Sequence, residues 1–318
     1  MSSKLVSLSE AVAMVPDGTH MAIGGFTVSR SPMAFIYEMI RQKKRNLHLY
    51  GHSLGGGWDL LIGAGCVKRV EVAYEADGVF GNIGPRFRRA IERNEIEWED
   101  YSNFGMVCRF AAGAMGIPFF PTRSQLGTDI IAQEGFNNSL RQKDSKIASK
   151  KLHIMTCPFT GDKVVLVPAI NVDICVIHAQ QVTTKGTVRI YGQSFGDVQQ
   201  ALCAKKLIVT CEEVVEPETL RAEPEQNHIP FYKVDHIIHV PYGAHPYACY
   251  RYYDYDPHQI NLYHRKAATD DGFEKYLNEF VYGVKDYQQY LAKIGEERLR
   301  QIKAEPALGY SPSIKRKA

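Results

Sequence analysis

The stretch from Asp17 to Pro32, Asp-Gly-Thr-His-Met-Ala-Ile-Gly-Gly-Phe-Thr-Val-Ser-Arg-Ser-Pro, constrains this chain more than any other. Asp17-Gly18 is a turn signal. Met21-Ala22-Ile23 is an apolar run of strand length, too short for a helix. It stops at Gly24-Gly25-Phe26, and Pro32 then suits the first turn of a helix that Met33 to Gln42 continue. Strand, glycine loop and helix start, in that order, aim backbone N–H groups at one point, the layout that binds anions. Two adjacent glycines permit positive φ and the close approach of a ligand. The same loop also reads as a tight turn with no ligand, and the residues alone leave both readings open.

The pattern repeats along the chain. Asn46 to Tyr50 alternates as a strand and runs into the glycine-rich segment Gly51 to Gly57; Trp58 to Ala64 is helical in pattern. Val67 to Tyr74 is a further strand, with Glu75 to Asn82 as its loop. Lys163 to Pro168, Val172 to His178, Lys206 to Cys211 and Val234 to Val240 read as strands, the second so apolar that both its faces must be buried. Alternation of this kind predicts an α/β fold with an open, mainly parallel sheet and helices on both faces. In such sheets ligands gather beyond the carboxyl ends of the strands. The loops after Ile23, Tyr50 and Tyr74 therefore share one predicted site, which adds Ser53 and Asp77 to its candidates.

Residues 1–318 read as one large domain. The polar run 134–151 is expected to be a surface insertion. Residues 271–318 are expected to form a smaller C-terminal helical extension, with the tail after Glu305 loosely held. Pro85 to Asn94 carries Arg86, Arg88, Arg89 and Arg93 and reads as a solvated helix face. The net charge of +3 gives no argument for nucleic acid or a membrane surface as partner. No window approaches the roughly 18 apolar residues of a membrane span, and the N-terminus lacks the apolar core of a secretion signal. Seven scattered cysteines without a CxxC pair point to reduced thiols in a cytoplasm and to no structural zinc.

Chemistry-bearing motifs are few. His236 and His239 fall on opposite faces of a strand, and His258 and His264 lack zinc spacing, so no metal is expected. Gly51-His52-Ser53-Leu54-Gly55 formally matches a hydrolase nucleophile elbow, without an identifiable Asp and His downstream. Walker and dinucleotide fingerprints are absent.

Asp17, Gly18, Met21, Ala22, Ile23, Gly24, Gly25, Phe26 and Pro32 stand at the spacing of the first signature of family I coenzyme A transferases, which the segment resembles. The resemblance spans nearly the whole chain, through Gly57-Trp58-Asp59, Arg86-Phe87-Arg88, Ile177-His178-Ala179-Gln180-Gln181 and Pro241-Tyr242-Gly243-Ala244-His245-Pro246. In the family a glutamate within a Ser-Glu-Asn-Gly run attacks an acyl-CoA thioester. That run does not occur here, and Glu212-Glu213 has the wrong neighbours. The resemblance thus implies an A (alpha) subunit with no catalytic residue of its own, partnered by a B (beta) subunit that brings the glutamate. It implies coenzyme A as substrate, no permanently bound cofactor, and a short acceptor such as the dicarboxylate glutaconate.

The expected role of this chain is to hold the acid. Gly24 would allow close approach, the N–H groups of Gly25 and Phe26 would bind a carboxylate, and Thr27 or Ser29 would add a hydroxyl. Arg30 replaces the family's usual glycine. It would either take the far carboxylate of a dicarboxylic acid or cap a surface loop. His245 is a weaker candidate. Similar chains have become CoA-ester hydrolases or decarboxylases; Asn103 stands about where the ring-hydrolysing ones carry a glutamate, which speaks against that branch. A non-catalytic sensor of CoA esters or sugar phosphates would carry a DNA-binding unit ahead of the sheet, and here the sheet begins by about residue 21.

Overall fold

The computed structural model describes residues 4–316. Strand alternation sets its architecture. Met21 and Ile23 join a core with Phe35, Ile36 and Trp58 on one face, while Ala22 joins Tyr50, Phe110 and Ile177 on the other. A strand buried on both faces needs a helical layer on each side.

The described residues form twelve strands: β1 (His20–Ile23), β2 (Leu47–Leu54), β3 (Val67–Glu75), β4 (Glu97–Asp100), β5 (Phe119–Thr122), β6 (His153–Thr156), β7 (Lys163–Pro168), β8 (Ile174–Thr183), β9 (Val188–Arg189), β10 (Lys206–Val215), β11 (Asn227–Ile229) and β12 (His236–His239). Strands β12, β10, β8, β1, β2, β3 and β4 lie side by side and parallel, with Met21 opposite Leu49 and Ile23 opposite Val176. β9 and β11 extend the far end of β8 in antiparallel sense. β5, β7 and β6 make a separate antiparallel sheet.

Four expectations are corrected. β2 runs through Leu54, so His52 and Ser53 belong to a strand and not to a glycine loop. The polar run 134–151 is not a surface insertion: Phe136, Leu140 and Ile147 form a small core of their own, Arg141 is buried and ion-paired with Glu99, and Lys151 is buried 2.6 Å from Asp100 Oδ1. Paired cations tolerate burial, which polarity alone cannot reveal. The tail is tied down, since Ser311 is buried and donates its N–H to Asp254 at 3.2 Å, and Arg251 N–H reaches Gly309 O at 2.8 Å. Arg86, read as part of a solvated face, is buried; its Nη1 lies 2.6 Å from Asp270 and its guanidinium 4.8 Å from the Phe273 ring centroid.

The C-terminal helices Pro257–Ala267, Asp270–Leu277, Tyr287–Ile294 and Glu296–Ile302 explain the tyrosine-rich composition there. Tyr263, Tyr276, Tyr287 and Tyr290 are buried around Tyr37 of helix Met33–Arg41, with Tyr37 Oη 3.1 Å from Tyr276 Oη and the Tyr37 and Tyr290 rings 4.9 Å apart. Large rings with a satisfied hydroxyl fill this layer. No helix among the described residues is long and apolar enough to cross a membrane.

Helix Asn103–Met115 opens at Ser102, whose Oγ accepts Gly105 N–H at 2.9 Å, and closes at Gly116 with φ 71°. It crosses the chain at Gly113, where a Cβ would stand 1.9 Å from Ile170 O and 3.0 Å from Cys203 Cβ. Alanine has the better helix propensity by about 1 kcal/mol, but the backbone carbonyl cannot yield. Gly113→Ala is therefore expected to destabilise the protein by about 1–3 kcal/mol, read as a lower midpoint in urea; an unchanged midpoint would show that the crossing relaxes freely.

Candidate functional site

β2 and β3 end opposite each other at Leu54 and Glu75, β1 stops at Ile23 level with Gly51, and the loop Gly24 to Arg30 runs on beside the end of β2. Gly24 N–H completes the ladder to Val176 O at 2.8 Å. Phe26 and Ser29 then exchange N–H···O bonds, both 2.8 Å, so that Thr27 and Val28 form the tip of a tight hairpin. Gly25 has φ +98°, and a Cβ there would meet Ser31 N at 2.7 Å, so only glycine fits. Thr27 has φ 45°, uncommon for a β-branched residue and worth about 1–3 kcal/mol of strain. The surrounding contacts hold it there: Thr27 N–H reaches Ser53 O at 3.2 Å, and the Phe26 ring stacks on Phe195 at 4.2 Å.

The anion in this nest belongs to the chain. Asp197 Oδ1 accepts Gly25 N–H at 2.8 Å, and Oδ2 pairs with Arg30. Arg30 Nη2 also donates to Gln193 O at 2.7 Å and Nη1 to His178 O at 3.4 Å. Both side chains are buried. The expected roles of Gly25 N–H, Phe26 N–H and Arg30 as ligands of an external carboxylate are thereby corrected, because each already has an internal partner. Arg30 caps no surface loop either; it fastens the loop to the segment 193–197. What the loop still presents are the Thr27 and Ser29 hydroxyls, partly buried and not hydrogen-bonded to another described residue.

Ser53 stands directly beneath. Its Oγ accepts a hydrogen bond from Nδ2 of Asn103, the exposed first residue of its helix. His52 turns to the other face of β2, where Gln200 Nε2 lies 3.4 Å from Nδ1 and burial lowers its pKa. Ser53 therefore has an amide partner and no histidine, and the elbow motif is a coincidence of spacing.

Asp77 is close to the loop but fully engaged: Oδ1 accepts Gly56 N–H at 2.8 Å, and Oδ2 has Tyr247 Oη at 3.2 Å and His264 Nε2 at 2.9 Å. It sits with Asp59 and Glu75 in a buried group of carboxyls. Gly84 touches two of them: a Cβ there would fall 2.2 Å from Glu75 Oε2 and 2.5 Å from Asp59 Oδ1. Burial, despite hydrogen bonds from Tyr263 Oη and Phe87 N–H, pushes Asp59 up to about 6. Burial, with the charges of Asp59 and Asp77, raises Glu75 well above the usual carboxylate range. His245 is corrected to a structural role: it is buried, with Tyr290 Oη 2.8 Å from Nδ1 and Asp256 Oδ2 3.3 Å from Nε2, and burial lowers its pKa.

Two groups among the described residues bring ligand-type atoms within 4.8 Å of one another: the buried His20 and His48 with the half-buried Asp144, and the buried His178, Glu212 and Cys249. Their polar atoms are largely committed inside the protein. His178 Nε2 lies 2.7 Å from Glu212 Oε1, which also accepts Tyr253 O–H at 2.6 Å; His20 lies 2.8 Å from Tyr50 Oη and 3.0 Å from Asp144.

The structure thus brings Gly24, Gly25, Phe26, Thr27, Ser29, Ser53 and Asp77 to one end of the sheet and leaves His245 under the C-terminal helices. Asp197 is the residue that sequence reasoning missed; it follows an unremarkable Gly-Gln-Ser-Phe-Gly loop and meets Gly25 from far along the chain.

The carboxyl edge of the parallel sheet thus gathers hydroxyl and amide groups, with the neighbouring carboxyls buried. The chain belongs to the coenzyme A transferase family, whose model matches residues 5–239. It is 40% identical over 310 residues to the A subunit of glutaconate CoA-transferase from Acidaminococcus fermentans, covering 97% of each chain. The crystal structure of that organism's glutaconate coenzyme A-transferase superposes with a TM-score of 0.93 over 97% of this chain and 98% of the other. The A subunit of 3-oxoadipate CoA-transferase from Pseudomonas knackmussii is 33% identical over 298 residues, 92% of this chain and 99% of that one.

Proposed function

We propose that this chain is the A subunit of a heteromeric CoA-transferase. It moves coenzyme A between an acyl-CoA and a short carboxylic or dicarboxylic acid such as glutaconate. The B subunit supplies the glutamate that attacks the thioester, and an enzyme–CoA thioester then carries the coenzyme to the acceptor acid. Coenzyme A is substrate, with no resident cofactor, and seven free cysteines suit a reducing cytoplasm.

One observation carries this reading. At the carboxyl ends of β1 to β3 the Thr27 and Ser29 hydroxyls and the Asn103 amide are not buried and Ser53 lies buried just beneath them, whereas Asp59, Glu75, Asp77 and Asp197 are buried and each already accepts a hydrogen bond within the protein. A carboxylate nucleophile must then come from another polypeptide. Because Asn103 donates to Ser53 Oγ, the Ser53 proton is left to be donated to a substrate carboxylate. The apolar side chains around the site are unusually open: Val79 is 84% exposed and Phe104 61%. A partner seated on them excludes water, which protects a thioester intermediate from hydrolysis.

The isolated chain should show no transferase activity and should gain it with its partner; turnover without a partner ends the proposal. In the assembled enzyme, Ser53→Ala should lower kcat/KM for the acceptor acid by about 10- to 100-fold, the value of a hydrogen bond to a charged group. Unchanged kinetics would remove Ser53 from the site.

A further inference from the structure

A groove of about 880 Å³ opens between the turn joining β8 to β9, the helix Pro217–Arg221 and the segment Phe231–Lys233. The mechanism above does not use it. Its cations are Lys4, Lys185 and Arg221, and no described residue lining it is acidic. Lys4 Nζ donates to Phe231 O at 2.5 Å, which fixes one cation against the aromatic segment. Arg221 pairs with Glu218 at 3.2 Å, but both side chains are largely in solvent, where such pairs are weak. Phe231 and Tyr232 are 52% and 75% exposed, with ring centroids 5.8 Å apart and planes at 80°. The volume is that of a small-molecule site.

Three cations, of which only Arg221 pairs with a carboxylate among the described residues and does so in solvent, favour a phosphate group. Exposed rings at right angles offer one face and one edge to a flat heterocycle, a contact that tolerates any base. We propose that this groove binds a phosphorylated, ring-bearing metabolite of the adenosine phosphate class. The ring lies against Phe231 and Tyr232, and the phosphates lie among Lys4, Lys185 and Arg221. The nucleotide end of coenzyme A and a free adenosine phosphate share this chemistry. The inference stands on the groove and does not require the transferase reading.

The test is calorimetric titration of the full chain with adenosine 3′,5′-bisphosphate, with inorganic pyrophosphate as the ring-less control. The bisphosphate should bind once per chain and more tightly than pyrophosphate. Lys185→Glu combined with Arg221→Glu should weaken it by about tenfold or more, as should Tyr232→Ala. These side chains are exposed, so the variants should melt with the wild type, which separates lost binding from lost folding. Competition then identifies the source: displacement by coenzyme A at similar affinity assigns the groove to the coenzyme, and failure to displace assigns it to a free nucleotide. Absence of binding, equal affinity for pyrophosphate, or unchanged affinity in the charge-reversed variant would overturn the proposal.

Discussion

Asp197→Asn is expected to be the most damaging conservative change in this chain. The amide keeps the volume and still accepts Gly25 N–H, so what is lost is the negative charge. Arg30, 2% exposed, is then left without its counter-ion. Removing one partner of a buried pair costs about 3–5 kcal/mol, because an uncompensated charge stays in a low-dielectric interior. The loss should depend little on salt, since buried pairs are poorly screened. Function should fall as well, as the pair fastens the Gly24–Arg30 loop; a displacement of roughly 1 Å at such a loop can cost about 100-fold in rate. Urea unfolding and kinetics of the assembled enzyme check both parts. Stability within about 1 kcal/mol of wild type would mean that water reaches Arg30 and that the pair is not sealed. Arg30→Met should be milder in the Asp197→Asn background than alone, since the second change removes the stranded charge.

Glu75→Gln is expected to act in the opposite direction. Glu75 is buried beside Asp59 and Asp77, and its Oε1 has no hydrogen-bond partner. Its pKa is raised well above the usual range and that of Asp59 is raised to about 6. The folded protein therefore keeps protons that the unfolded chain releases above pH ~4–4.5. The contribution of Glu75 and Asp59 to stability is highest near and below that pH and falls as pH rises through about 6 and beyond, because at these two groups the unfolded state then binds fewer protons than the native one. A glutamine mimics the protonated acid and still accepts Gly84 N–H, which Glu75 Oε2 takes at 2.9 Å. The variant should be more stable than wild type at pH 8 by about 1–3 kcal/mol, the cost of an unsatisfied buried group, with the gain vanishing near pH ~4.5. A gain that does not depend on pH would place the effect in packing and not in ionisation.

Much of the fold was legible because its signals are local. Met21 to Ile23 reads as a strand buried on both faces, and Gly24-Gly25 marks the turn that follows; both depend on residues adjacent in the chain. The site was legible as a place, and the partners of its groups were not. Gly25 N–H and Arg30 were expected to face a ligand and instead meet Asp197. Ser53 was expected in a loop and lies in β2 with Asn103 as its partner. Arg141 and Lys151 read as surface charges in the sequence, and the fold sets Glu99 and Asp100 beside them.

By itself the sequence determined the parallel sheet, the position of the glycine loop at its carboxyl edge, and the kinship that the transferase signature carries. These follow from spacing along the chain. Only the tertiary structure decided which groups of that loop are spent inside the protein and which remain for a ligand. That choice depends on the charge of Asp197, brought to Gly25 and Arg30 from the far end of a crossover, and hydrogen-bond partners so distant in sequence leave no periodicity to read.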